Sequence, residues 1–226
     1  MTAVTFGLYR TTVGKKAIMA VTGVVLYGFV VVHMLGNLKI FMGREHFNAY
    51  AEALRGLGAP FLAHMQALWL LRAILLASVL AHIAMAAQLA VQSRRARPQP
   101  YKMKKAVSSS YASRTMRWGG VIIGLFIVFH LLHMTTGQLN PGFESGDAYG
   151  NMVRGFQHWY VFVAYAVAII ALGAHVHHGF YSMVQTLGAA GRYRHLARLV
   201  AMGSAGLLVV GYLSGPAAIL FGFIGS

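Results

Sequence analysis

Five stretches of this chain stay apolar long enough to cross a membrane, with polar and charged residues gathered between them. They run over roughly 17–41, 62–93, 115–138, 156–187 and 196–223, and as helices each spans a hydrocarbon core of about 30 Å. The pattern predicts an all-α integral membrane protein with five transmembrane helices, forming a single membrane domain over residues 1–226. The second and fourth runs are long enough to protrude from the bilayer. Between the first two lies an amphipathic segment, REHFNAYAEAL. The first run is too long for a signal peptide and lacks a small-residue cleavage pattern, so the first helix is expected to stay in the mature protein. No internal repeat or low-complexity tract interrupts the pattern.

Composition agrees: 58% of residues are hydrophobic and the mean hydropathy is +0.61. The chain has no cysteine, which excludes thioether haem attachment, cysteine-ligated iron–sulfur clusters, disulfides and thiol catalysis in this subunit. Charge supplies an orientation. Arg10, Lys15 and Lys16 precede the first run. Arg94, Arg95, Arg97, Lys102, Lys104, Lys105, Arg114 and Arg117 fill the second connection, and Arg192, Arg194 and Arg198 the fourth. These fall on one face, which the positive-inside rule makes cytoplasmic. The other face holds Lys39, Arg44, Arg55 and Arg154 with all four acids, Glu45, Glu52, Glu144 and Asp147. The N-terminus is therefore expected inside and Ser226 outside. Only Arg72 is left, within the second span near its outer end, placed to snorkel or to meet an anionic ligand group. The loop 93–117 suits anionic lipid headgroups and the docking of a soluble partner. Nucleic acid is excluded, because the charges sit at a membrane surface with no recognition fold.

Four of the five runs carry a histidine deep in the apolar stretch: His33, His82, His130 and His175. A metal-binding ring in hydrocarbon is costly, and imidazole is a usual axial ligand of haem iron, so one histidine per helix points to two bis-histidine haems b. Depth proposes the pairing. At 1.5 Å per residue, counted from the outer ends, His33 lies about 9 Å deep, His130 about 10 Å, His82 about 27 Å and His175 about 30 Å. His33 with His130 makes an outer pair and His82 with His175 an inner one, in a four-helix haem-binding core with a fifth helix beside it. Gly36, Ala86, Gly124 and Gly179 lie a turn or two from these histidines, where small residues admit a macrocycle or simply let helices pack.

Seven histidines remain. His46, His64, His158 and His195 lie in loops or at helix ends, where solvation accounts for them. His133 shares a face with His130, as an alternative outer ligand or a partner for a propionate. His177 and His178 turn about 200° and 300° away from His175. Met34, Met85 and Met134 read as gap fillers, and Trp69, Trp118 and Trp159 as interfacial anchors.

The stretches HMLGNL, LAHIAMAAQ, RWGGVIIGLFIVFHLLH and LGAHVHHGFYSMVQTLG, in this order and spacing, resemble the cytochrome b membrane-anchor subunits of succinate dehydrogenases and fumarate reductases, in the form with five helices and two haems. The resemblance covers nearly the whole length. It implies that His33, His82, His130 and His175 are the axial ligands. An iron–sulfur subunit is implied on the basic cytoplasmic face, bearing a flavoprotein subunit, with no dicarboxylate or flavin site on this chain. It further implies electron transport, within the tricarboxylic acid cycle, through the inner and then the outer haem to a membrane quinone, commonly menaquinone. The location implied is a bacterial-type cytoplasmic membrane, and a higher oligomer of the complex is compatible with it. Candidate quinone-site residues on the outer side are Glu52, Gln138 and Asn140, with His46, Asn48 and Tyr50. Arg72, Lys39 and His133 are candidate propionate contacts. Some fumarate reductases of this family carry a carboxylate two residues before the last ligand; here that position is Gly173, so a proton path through it is not expected. Two other classes compete. The cytochrome b anchor of a hydrogenase or formate dehydrogenase would differ in helix number and ligand spacing. A haem-free histidine-relay transporter would more often show buried acids, and no acid lies in any span.

Overall fold

A computed structural model describes residues 11–96, 109–186 and 193–225, together with Gly7, Gly188 and Gly191. Arg10, Arg97, Lys102, Lys104, Lys105 and Arg192 lie outside the described residues, as does the side chain of Arg114.

Five helices are long and apolar enough to cross a membrane. In chain order the elements are α1 (Thr12–Asn37), α2 (Arg44–Arg55), α3 (Gln66–Arg95), α4 (Ser109–His130), α5 (Ala148–Phe156), α6 (Trp159–Thr186) and α7 (Arg194–Leu220). The spans are α1, α3, α4, α6 and α7; α2 and α5 are short and lie at one end of the bundle. At 30 and 28 residues, α3 and α6 are about 45 and 42 Å long, beyond a hydrocarbon core of about 30 Å. The last turn of α3 carries Arg94 and Arg95, and that of α6 ends on polar Gln185 and Thr186.

The helix limits follow from local chemistry. Thr11 caps α1 by accepting from the Gly14 N–H at 3.0 Å, which satisfies one of the unpaired first-turn donors. A 3-10 turn over Leu38–Met42 continues α1 and stops at Gly43, whose φ of 89° is left-handed and favours glycine. The last turn of α4 widens into a π-turn over Leu131–Thr135, closed by the Thr136 N–H on the Leu131 carbonyl at 2.9 Å. Single π-turns inside α-helices are found mostly at functional sites, and this one carries His133. Pro216 is buried inside α7; membrane helices tolerate such a break where neighbours satisfy the backbone.

α1 packs on α3, and α4 packs on α6, which in turn packs closely on α7; α1 also touches α6 and α7. Small residues are buried on both sides of the α6–α7 packing, Ala168 and Gly173 on α6 and Ala201 and Ala205 on α7, the composition that lets membrane helices approach by van der Waals contact. A Cβ on Gly173 would stand 2.6 Å from Val209 Cγ2, so this position is closed by α7 and has no room for a carboxylate. The aromatic and aliphatic core, including Phe47, Met152, Phe156, Tyr165, Ile169 and Ile219, lies where α2 and α5 cap the bundle. Outward faces are apolar, as with Leu125 and Val210 at 70% and 69% exposure, which suits contact with lipid.

Candidate haem-binding sites

Each of the four deep histidines meets one other. The His33 and His130 rings lie 5.9 Å apart, centroid to centroid, with planes at 81°. The His82 and His175 rings lie 6.2 Å apart at 61°. The first pair sits toward the end capped by α2 and α5, the second toward the opposite end. Two imidazoles on opposite sides of one iron, with metal–nitrogen bonds of about 2.0 Å and ring centres about 1.1 Å behind each nitrogen, stand about 6.2 Å apart.

The helices that carry each pair are the ones that do not pack closely. α1 rests on α3, and α4 on α6, yet His33 of α1 faces His130 of α4, and His82 of α3 faces His175 of α6. The histidines therefore reach across the gap between two helix pairs, where a flat macrocycle would lie. No cluster of three or more histidine and carboxylate ligands exists among the described residues. Two imidazoles per level are the donor set a tetrapyrrole leaves open on iron, so the residues fit the group.

Hydrogen bonds at the second ring nitrogen sharpen the fit. The Thr22 hydroxyl donates to the Ile18 carbonyl at 2.8 Å, with the Met19 carbonyl at 3.2 Å, and lies 3.2 Å from His82 Nδ1. A hydroxyl has one proton. With that proton on a backbone carbonyl, Thr22 accepts from His82 Nδ1–H, which leaves Nε2 of His82 as a bare lone pair suited to a metal. At the other level the Tyr165 hydroxyl lies 3.0 Å from both His130 Nδ1 and His133 Nδ1. His175 Nδ1 is buried without a well-formed hydrogen bond.

Packing fixes the rings further. Phe29 stacks on His33 at 5.2 Å, and Tyr212 lies 6.1 Å from it while donating to the Val30 carbonyl at 2.6 Å. Of the glycines expected beside the histidines Gly124 keeps open space, and two further glycines lie against the rings of the His82/His175 pair. A Cβ on Gly23 would lie 3.5 Å from the His82 ring, and one on Gly120 3.8 Å from the His175 ring. Gly36 instead accommodates the Tyr50 hydroxyl, Gly179 lies beside Met116, and Gly124 faces open space. Thr22, Tyr165, Gly23 and Gly120 were not singled out from the sequence, because threonine, tyrosine and glycine are all ordinary in an apolar helix.

The other candidates are dispersed. Lys39 lies over the Tyr50 ring at 5.2 Å and Arg72 over the Trp69 ring at 4.8 Å, so both cations rest on aromatic faces. Glu52 is 61% exposed and paired with Arg55 at 2.6 Å and His64 at 3.2 Å. The Arg55 hydrogen bond, with that of His64, holds its carboxyl below the ordinary range. Gln138 is exposed. Asn140 is buried and donates to the Asn151 carbonyl at 2.9 Å. No hydrogen bond joins Glu52, Gln138 and Asn140 among the described residues. Asn48 donates to Asp147 at 3.0 Å and accepts from the Tyr149 N–H. His46 and His195 are exposed, His158 stacks on Tyr160, and His177 and His178 face each other at 5.0 Å.

Residues 91–212 match the succinate dehydrogenase/fumarate reductase transmembrane subunit family. The matched stretch includes one histidine of each pair, His130 and His175. Comparison with curated proteins and with solved structures gave no match. With five apolar spans and a family match over more than half its length, the chain belongs to the transmembrane subunits of succinate dehydrogenase and fumarate reductase.

Proposed function

We propose that this chain is a dihaem cytochrome b anchor of a succinate:quinone oxidoreductase, passing electrons from an iron–sulfur subunit through two haems b to membrane quinone. The observation that carries this reading is the meeting of four intramembrane histidines as two facing pairs, at 5.9 and 6.2 Å, across helices that do not otherwise pack closely. His33 and His130 hold one haem; His82 and His175 hold the other. Each haem, when bound, supplies a one-electron couple. The chain's own residues orient the ligands: Thr22 keeps the His82 proton on Nδ1, and Phe29 fixes the plane of His33.

The basic ends of α3, α4 and α7, with the exposed Lys16, form the cytoplasmic face and receive the iron–sulfur subunit, which bears the flavoprotein; Lys15 is buried. The N-terminus is cytoplasmic, and the location is a bacterial-type inner membrane. Electrons enter at the His82/His175 level and leave at the His33/His130 level, where quinone, in this form menaquinone, is reduced under the cap. Glu52 and Gln138 are candidate polar groups of its site, whereas Asn140 is already committed to the Asn151 carbonyl. His133 would meet a propionate only through Nε2, which is buried against Gly155 and would have to be uncovered. Arg72 and Lys39 would reach a propionate only by leaving the rings they rest on.

Haem quantification and reduced-minus-oxidised spectra of the purified protein test this. Two haems b are expected per chain, one after His82→Ala or His130→Ala, and none after replacement of all four ligands. A colourless but folded wild-type chain would overturn the reading. Co-purification with flavin-bearing and iron–sulfur subunits tests the partners.

A further inference from the structure

The Tyr165 hydroxyl stands between two histidines with one proton to give. It lies 3.0 Å from Nδ1 of His130 and 3.0 Å from Nδ1 of His133. Accepting from both rings would leave its own buried proton without an acceptor, so it accepts from one ring and donates to the other. Which way round is decided by His130. A histidine that offers Nε2 to iron keeps its proton on Nδ1, so His130 donates to Tyr165 and Tyr165 donates to His133. The proton of His133 then sits on Nε2, the atom that is buried without a partner, facing Gly155, where a Cβ would come within 2.9 Å.

This arrangement is rigid. Tyr165 is 5% exposed and gripped by ring edges, with Phe156 at 4.6 Å and Phe126 at 4.8 Å. His133 is wholly buried, stacked on Phe129 at 5.5 Å with planes 7° apart and met by Phe156 at 6.3 Å. It is His130, not His133, that faces His33. His133 is therefore placed to hold the phenol while His130 takes the iron.

We propose that Tyr165 is a positioning residue for His130, and that with His133 it lowers the reduction potential of the haem held by His33 and His130. The proposal rests on the dihaem reading above. A hydrogen bond from Nδ1–H makes an imidazole a more basic ligand, and a more basic axial ligand favours the oxidised iron. Donation by Tyr165 to His133 makes the phenol oxygen a stronger acceptor, since hydrogen bonds in a chain polarise one another. The pair therefore acts on one haem and leaves the other alone.

Redox titration of the haem-loaded protein, following each haem b band, tests this. Tyr165→Phe removes only a hydroxyl, and should raise the potential of the haem that His130→Ala eliminates, leaving the second haem as in wild type. His133→Leu keeps the phenol but removes its acceptor, and should move the same haem in the same direction by less. His133→Asn restores an acceptor near Nδ1 and should return the potential toward wild type. Should Tyr165→Phe prove unstable, the contrast between the two His133 variants decides the matter alone. Unmoved potentials with both haems bound, or equal shifts of both, would overturn the proposal. Loss of haem from the wild-type protein would instead defeat the dihaem reading beneath it.

Discussion

Thr22 shows how little a single side chain needs to decide. Its one proton goes to the carbonyl a turn behind it, and that commits His82 to a single tautomer. Thr22→Val keeps the shape and removes the oxygen. We expect it to raise the potential of the His82/His175 haem and to weaken its binding about 10- to 100-fold, the usual cost of losing a partner behind a metal-binding histidine. Thr22→Ser should behave as wild type; redox titration and haem retention on dilution measure both. The four facing histidines were legible in the sequence because an ionisable ring inside an apolar run stands out, and counting depth along straight helices sorted them into the pairs whose rings meet. The hydroxyls were not legible, since threonine and tyrosine are ordinary in membrane helices. A depth rule would have found them. Thr22 lies eleven residues before His33, and Tyr165 ten before His175, about 16 and 15 Å along the helix. Each of α1 and α6 thus gives a ligand to one level and a hydroxyl to the other.

At the scale of elements, α2 was legible from its amphipathic pattern, whereas α5 was not anticipated as a helix of its own. Two glycines in nine residues give it poor intrinsic propensity; it forms because Asp147 caps it and burial holds it. Asp147 accepts from the Gly150 N–H and Asn48 at 3.0 Å and from Arg44 at 2.9 Å, with Arg154 at 3.6 Å, which fastens α5 to α2. Burial works to raise the pKa of this carboxyl. The Asn48 and Gly150 donors and the two arginines outweigh burial and hold it below the ordinary carboxylate range. A folded pKa below the unfolded value of about 3.9 stabilises the cap fully above that pH, and the stabilisation is lost as pH falls through the folded value. Protection factors of α2 and α5 amides should therefore hold from pH 7 to about 5 and fall below about pH 4. Asp147→Asn should remove that pH dependence and cost about 1–3 kcal/mol of cap stability. The seam between α6 and α7 makes a separate demand. Gly173→Glu would push a side chain into Val209 and the Ala205 carbonyl. It should cost at least about 1–3 kcal/mol, as overpacking does, read as a lower melting temperature of the haem-loaded protein.

The whole molecule is two helix groups, α1 with α3 and α4 with α6 and α7, meeting where α1 touches α6 and α7. Along that contact Tyr212 reaches the Val30 carbonyl at 2.6 Å, and Met34 fills the space over Gly211. Elsewhere the long helices of the two groups meet through the facing histidines and the Tyr27–Phe180 ring pair, and α2 and α5 join the groups at one end. An iron gripped from both sides at two levels would join what the helices leave apart, so much of the bundle's cohesion would come from the cofactor. Binding to the folded state alone stabilises by about 4 kcal/mol when ligand exceeds its dissociation constant a thousandfold. Replacing all four ligands with alanine should therefore leave the helical content intact, since each span satisfies its own backbone in lipid, yet lower the melting temperature clearly. The loosening should be uneven. Amide exchange should quicken most in α3, which among the described residues packs closely on α1 and lightly on α2, and least along the α6–α7 seam, whose small-residue contacts do not depend on haem. Uniform exchange across all five spans, or an unchanged melting temperature, would mean that helix packing alone holds the two groups together.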